Sequence, residues 1–190
     1  MGLAQKAIAY IEPADYLALE NQSKEKHEYL DGVIYDWQGT TIRGMAGTSV
    51  DHARVALNLH LFLRAATRAQ GCEVFSSEIR LRPDQFSAYF YPDVMLRCGA
   101  KLPGDTTELD DACIVMEVLS QTTEGFDRQD KFERYKRMGS LQAYVLVSPG
   151  LRTIEVFLRS QQWQLSAGAD RYDLGMLSLT LDPAMVFEGL

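Results

Sequence analysis

The stretch Ala112-Cys113-Ile114-Val115-Met116-Glu117-Val118-Leu119 is apolar on both faces of an extended chain. Ile114, Met116 and Val118 alternate with Cys113, Val115 and Leu119. Side chains of a strand point to opposite faces in turn, so a strand apolar on both is covered above and below. Residues 112–119 therefore read as an interior strand. Downstream, residues 127–138 carry Phe132, Tyr135 and Met138 at helical spacing, Gly139 supplies a stop, and residues 143–147 read as another strand. Strand, helix and strand make a βαβ crossover.

Further outward, residues 153–158 read as a strand set off by Ser148-Pro149-Gly150, with a weaker strand signal at 162–165. Residues 73–82 and 88–97 read as strands, and Pro92 inside the second implies an edge, a bulge or a broken ladder. A long helix is expected from about Ser49 to Gln70, with Thr48 or Ser49 as N-cap and Gly71 beyond its end. His52, Ala56, Leu59 and Leu63 share its inward stripe. Asp31-Gly32 between two β-prone runs predicts a type I′ hairpin, preceded by a short helix at 13–20. Gly39, Gly44 and Gly47 mark the following loop as mobile. The pattern is α/β, a mixed β-sheet flanked by helices with an N-terminal β-hairpin.

The chain has 190 residues, enough for one domain with a real core, its centre at about 48–159 and its N-terminal helix and hairpin at 13–38. Nineteen basic and 26 acidic side chains give a net charge of −7, which argues against coating nucleic acid by bulk attraction. A bound cation would change that sign locally. Cys72, Cys98 and Cys113 are odd in number and widely spaced, which fits free thiols in a reducing compartment. The apolar stretch at 7–11 is too short for a signal-peptide core, and no run is long enough to span a membrane. A cytoplasmic protein is the simplest expectation.

Glu117 is the one ionised side chain of the interior strand. Burying a lone carboxylate is costly, so a cation, backbone donors or exposure at the strand end must compensate it. Asp93 follows Pro92 on a neighbouring strand, and two such acids suit a hard divalent cation that keeps several waters. Spacing alone makes Lys131 and Asp127 an i,i+4 pair on a solvated helix. Basic residues cluster at Arg80 and Arg82, at Arg97 and Lys101, and along Arg128, Lys131, Arg134, Lys136 and Arg137, all offering phosphate contacts.

Tyr91-Pro92-Asp93-Val94, Met116-Glu117-Val118-Leu119-Ser120, Asp127-x-x-x-Lys131-x-x-x-Tyr135 and Tyr144-Val145-Leu146-Val147 together resemble the Uma-type restriction endonucleases of the PD-(D/E)XK nuclease superfamily. The resemblance runs from the Glu28-Tyr29-Leu30-Asp31-Gly32 hairpin to about Leu158. It implies a restriction-endonuclease-like αβββαβ core and a DNA substrate cut with Mg or Mn. It also implies Asp93 and Glu117 as metal ligands and Lys131 as the assisting amine. The sequence departs from the superfamily pattern at Leu119, where a lysine would stand, and Lys131 is the replacement. His52 matches a histidine on the long helix and Glu78 is a further acid, both auxiliary. Glu28 either closes the site or joins a cross-strand pair, while Gln129 and Ser120 cap or line it. A homodimer would supply the two sites that paired cuts need. The competing readings are a non-catalytic binding or assembly protein on the same scaffold and, less supported, a glycosidase using two carboxylates.

Overall fold

The computed structural model describes residues 10–36, 49–85 and 87–190. The expected mobile loop around Gly39, Gly44 and Gly47 and most of the N-terminal apolar stretch lie outside those residues. In chain order, α1 is Pro13–Glu20, β1 His27–Leu30, β2 Val33–Asp36, α2 Val50–Thr67, β3 Cys72–Ser76, β4 Arg80–Leu81, β5 Ala88–Tyr89 and β6 Val94–Cys98. There follow β7 (Glu108–Leu109), β8 (Ile114–Val118), α3 (Glu124–Phe126), a π-helical turn (Asp127–Lys131), α4 (Phe132–Tyr135), β9 (Ala143–Ser148), β10 (Thr153–Leu158) and β11 (Leu165–Ala167).

The main sheet has six strands in the order β11-β10-β9-β8-β6-β3. β8 runs antiparallel to β6 and parallel to β9, so the expected crossover through the α3–α4 segment is present. Ile114, Met116 and Val118 pack with Val55, Leu59 and Leu63 of α2. Val115 and Leu119 pack on the other face with Phe132, Tyr135 and Met138. The interior strand is therefore covered twice, as its composition demands. Cys113 departs from the expected alternation: it precedes β8 and joins the α2 side.

The hairpin β1–β2 turns at Asp31 (φ 47°) and Gly32 (φ 85°), the two positive angles a type I′ turn requires. β1 pairs on its other side with β5. α2 begins where Ser49 Oγ accepts a hydrogen bond from the His52 backbone N–H at 3.2 Å, and a 3-10 turn carries the chain to Gly71 (φ 70°).

Three expectations are corrected. Residues 73–82 are two strands, because the chain turns after Ser76 and β4 pairs with β7 in a separate sheet. Residues 88–97 are also two: Pro92 has no N–H for a ladder, and the chain breaks at Tyr91-Pro92-Asp93 between β5 and β6. Cys72 and Cys98 are direct cross-strand partners of β3 and β6 and form a disulfide, which leaves Cys113 as the free, buried thiol. No described helix is long and apolar enough to cross a membrane.

Candidate active site

The break at Pro92 creates the site. Val94 lies opposite Met116 across β6 and β8, and one step further the freed Asp93 meets Glu117. Asp93 donates its backbone N–H to Glu117 Oε2 at 3.2 Å, and Asp93 Oδ2 accepts the Val118 N–H at 2.8 Å. The two acids are thus fastened to each other's strands. His52, in the first turn of α2, holds its Nε2 3.3 Å from Asp93 Oδ2. A cleft of about 340 Å³ opens here, lined by His52, Leu57, His60, Ser76, Ser77 and Asp93 among others.

Behind the acids lies an ionic cluster. Glu117 is only 3% exposed, and its Oε1 accepts from Lys131 Nζ at 3.3 Å and from the Tyr135 hydroxyl at 3.0 Å. Lys131 is 4% exposed and also stands 3.0 Å from Asp127 Oδ1 and 2.9 Å from Glu28 Oε1. Glu28 is fully buried on β1, and the same Oε1 accepts the Tyr91 N–H at 3.1 Å. The i,i+4 pair expected between Asp127 and Lys131 does form, but in the interior instead of on a solvated face. The chain there is a π-helical turn, a feature frequent at functional sites.

Four carboxylates (Glu28, Asp93, Glu117, Asp127) surround one ammonium and one imidazole. Burial pushes Glu28 up to about 7, Lys131 opposing that and Asp127 adding to it. Glu117 is raised well above the ordinary carboxylate range, by burial first and then by the neighbouring acids against the pull of Lys131. For Lys131, burial works toward the neutral amine, yet Asp127, Glu117 and Glu28 overcome it and hold the pKa well above 10.5. It is a permanent cation. Burial likewise works against His52, and the hydrogen bond and charge of Asp93 raise its pKa despite that.

The donor set fits a hard divalent cation. Carboxyl groups outnumber cationic ones in a buried cluster, and magnesium is commonly held by one or two carboxylates with waters completing its shell. Asp93 and Glu117 are two such carboxylates, joined at 3.2 Å through the Asp93 N–H. No group of three or more His, Cys, Asp or Glu side chains among the described residues is arranged to hold a metal.

Of the auxiliary residues, His52 joins the site and Glu78 does not. Glu78 lies in the turn after β3, exposed, with Lys26 Nζ 2.7 Å away. Ser120 bonds Thr122 and Thr123 in its own turn, and Gln129 is exposed. Sequence reasoning missed Asp127 as a buried partner of the lysine and the Tyr135 hydroxyl as a donor to Glu117. Their spacing with Lys131, four residues either side, was the available signal.

The basic clusters offered as phosphate contacts are mostly neutralised within the chain. Arg80 and Arg82 bind Glu108, Arg97 binds Glu73 and Asp111, Arg128 binds Glu124 and Glu155, and Arg134 binds Asp31 and Asp84. Lys136 pairs with Glu133, and Arg137 lies 3.7 Å from Asp84. Acids close in space but distant in sequence claim these cations.

Residues 13–185 match the model of the Uma2 family, described as "Putative restriction endonuclease". The chain belongs to the Uma2 family. Two uncharacterized proteins of Synechocystis sp. are relatives. One, slr1290, is 29% identical over 95% of this chain and 93% of its own length; the other, sll1609, is 31% identical over 80% and 84%. The fold matches a crystal structure from Anabaena variabilis titled a putative nuclease belonging to DUF820, with a TM-score of 0.74 and 16% identity over 93% of this chain and 97% of that one. Family membership and the restriction-endonuclease-like mixed sheet, both expected from the motifs, are borne out.

Proposed function

We propose that this Uma2 protein is a metal-dependent endonuclease that hydrolyses phosphodiester bonds in DNA. The observation that carries the reading is the meeting of Asp93, Glu117 and Lys131 at one end of β8, through Asp93 N–Glu117 Oε2 at 3.2 Å and Lys131 Nζ–Glu117 Oε1 at 3.3 Å. Three residues from three elements converge beside an open cleft.

Asp93 and Glu117 are the residues that would hold Mg or Mn. Such an ion, when bound, acts as a Lewis acid toward a phosphoryl oxygen and lowers the pKa of a bound water. Lys131 stays protonated, so it is no general base. Its charge opposes the burial that drives the Glu117 carboxyl toward its neutral form, and its N–H aims Oε1. His52 orients Asp93 through Oδ2 and can offer a proton or a hydrogen bond toward the cleft.

A second reading, a non-catalytic relative, is favoured by one observation. Lys131 is buried with three carboxylates within 3.3 Å of its ammonium, so its charge is already engaged inside the protein and turned away from a substrate oxygen. The test separates the two. The wild-type chain is expected to cut DNA with Mg or Mn and not in chelator, and Asp93→Ala is expected to abolish cutting with the circular dichroism unchanged. Equal metal-dependent cutting by that variant rejects the site. Absence of manganese binding by calorimetry in the wild type favours the non-catalytic reading.

A further inference from the structure

Most arginines described above are tied to acids, and two stand apart, Arg64 in the last turn of α2 and Arg68 at the start of the 3-10 turn that follows it. Arg64 and Arg68 are exposed, four residues apart, and neither has an acidic partner among the described residues. His60 lies one turn before Arg64, so the three recur once per turn along about 12 Å of helix axis. They look onto β3, the terminal strand of the six-stranded sheet. The cleft holding Asp93 and His52 is bounded there by His60, Ser76 and Ser77. A second cleft continues along the same α2–β3 seam, bounded by Arg64, Arg68, Cys72, Val74, Phe75 and Glu73, whose carboxylate is paired with Arg97 at 3.0 Å. The seam is thus acidic at one end, where a divalent ion would sit. It is cationic at the other.

We infer that this seam carries the phosphodiester backbone of DNA to the Asp93–Glu117 pair, with Arg64 and Arg68 as phosphate contacts and the Ser76 and Ser77 hydroxyls between them. The inference rests on the nuclease reading for what happens at the acidic end; the binding track itself does not need the cutting. In a chain of net charge −7, unpaired guanidiniums are the groups able to exchange counterions for phosphates. Phosphate contacts of this kind position a strand without reading its sequence, which agrees with a seam lined by few base-reading side chains.

The competing role for two arginines near a helix C-terminus is to complement its dipole. The experiment distinguishes these. Fluorescence anisotropy of a labelled DNA duplex, and of its isolated strand, is measured with calcium present over a salt series, beside melting curves and a magnesium cleavage assay. For Arg64→Ala/Arg68→Ala the affinity is expected to fall about tenfold or more. The slope of log K against log salt is expected to flatten by roughly 0.9 per lost contact on duplex DNA. Arg64→Lys/Arg68→Lys is expected to recover most of the affinity, since the charge returns. Unchanged affinity and slope in the alanine variant overturn the inference, as does a lower melting temperature with affinity intact, the mark of a dipole role. A wild type that binds neither DNA overturns it too. A wild type that binds through these arginines yet never cuts sinks the nuclease reading alone, and cutting that survives both alanines at full affinity sinks the track alone.

Discussion

Lys131 Nζ lies 2.9 Å from Glu28 Oε1, so an ammonium on the crossover helix and a carboxylate on the N-terminal hairpin meet inside the protein. Both are nearly or fully buried. The contact ties the three-stranded sheet of β2, β1 and β5 to the Asp93–Glu117 end of the main sheet, and it sets the first prediction. Glu28→Ala removes one of the three carboxylates compensating a buried cation, and breaking such a pair typically costs about 3–5 kcal/mol. Glu28→Gln keeps the acceptor for the Tyr91 N–H and is expected to cost less. Urea unfolding of the two variants checks the order; equal stability of both with wild type would show the contact to be idle.

Acidity gives the second. The folded chain holds a proton on Glu28 more tightly than the unfolded chain does, since its pKa rises from 4.5 to about 7. That contribution is complete below about pH 4.5 and is lost as the pH climbs toward 7. His52, also raised, acts with the same sign: its contribution is full below 6.5 and fades as the pH passes its folded value. In chelator, the unfolding free energy is therefore expected to decline between pH 5 and 7.5, Glu28 contributing on the order of 3 kcal/mol. Glu28→Gln should flatten the profile. A profile as steep in that variant would assign the decline elsewhere.

The imidazole beside Asp93 gives the third. His52→Ala leaves Asp93 with its Val118 N–H bond but without the 3.3 Å contact that orients the carboxylate. Loss of such a supporting partner commonly weakens a metal site about 10–100-fold. Manganese titration by calorimetry should show that loss with little change in melting temperature.

Reduction gives the fourth. The Cys72–Cys98 bridge closes a loop of sequence separation 26 between β3 and β6. Closing a loop of that size contributes about 2–4 kcal/mol. Dithiothreitol, or Cys72→Ala, is expected to lower the urea midpoint, while Cys113→Ala should leave the response to reductant intact.

Local signals carried most of the fold. Two-sided apolarity placed β8 in the middle, Asp31-Gly32 placed the hairpin, and Ser49 and Gly71 bracketed the long helix. Glu117 was legible because a charge in an otherwise apolar strand requires compensation, and Asp93 through its place after Pro92 and the family motif. What compensates Glu117 was not. Glu28 and Asp127 reach Lys131 through tertiary packing, and a spacing of four residues looks the same on a wet helix as on a dry one. The Cys72–Cys98 pairing depends on strand register, and the neutralised arginines depend on acids brought in from other loops. The π-helical turn has no periodic signature of its own in five residues.

The hairpin turn at Asp31-Gly32 also bears on how the protein is made. Glu28 emerges from the ribosome early, yet the amine it serves is synthesised about a hundred positions later. Until then this acid has no counter-ion to fold against.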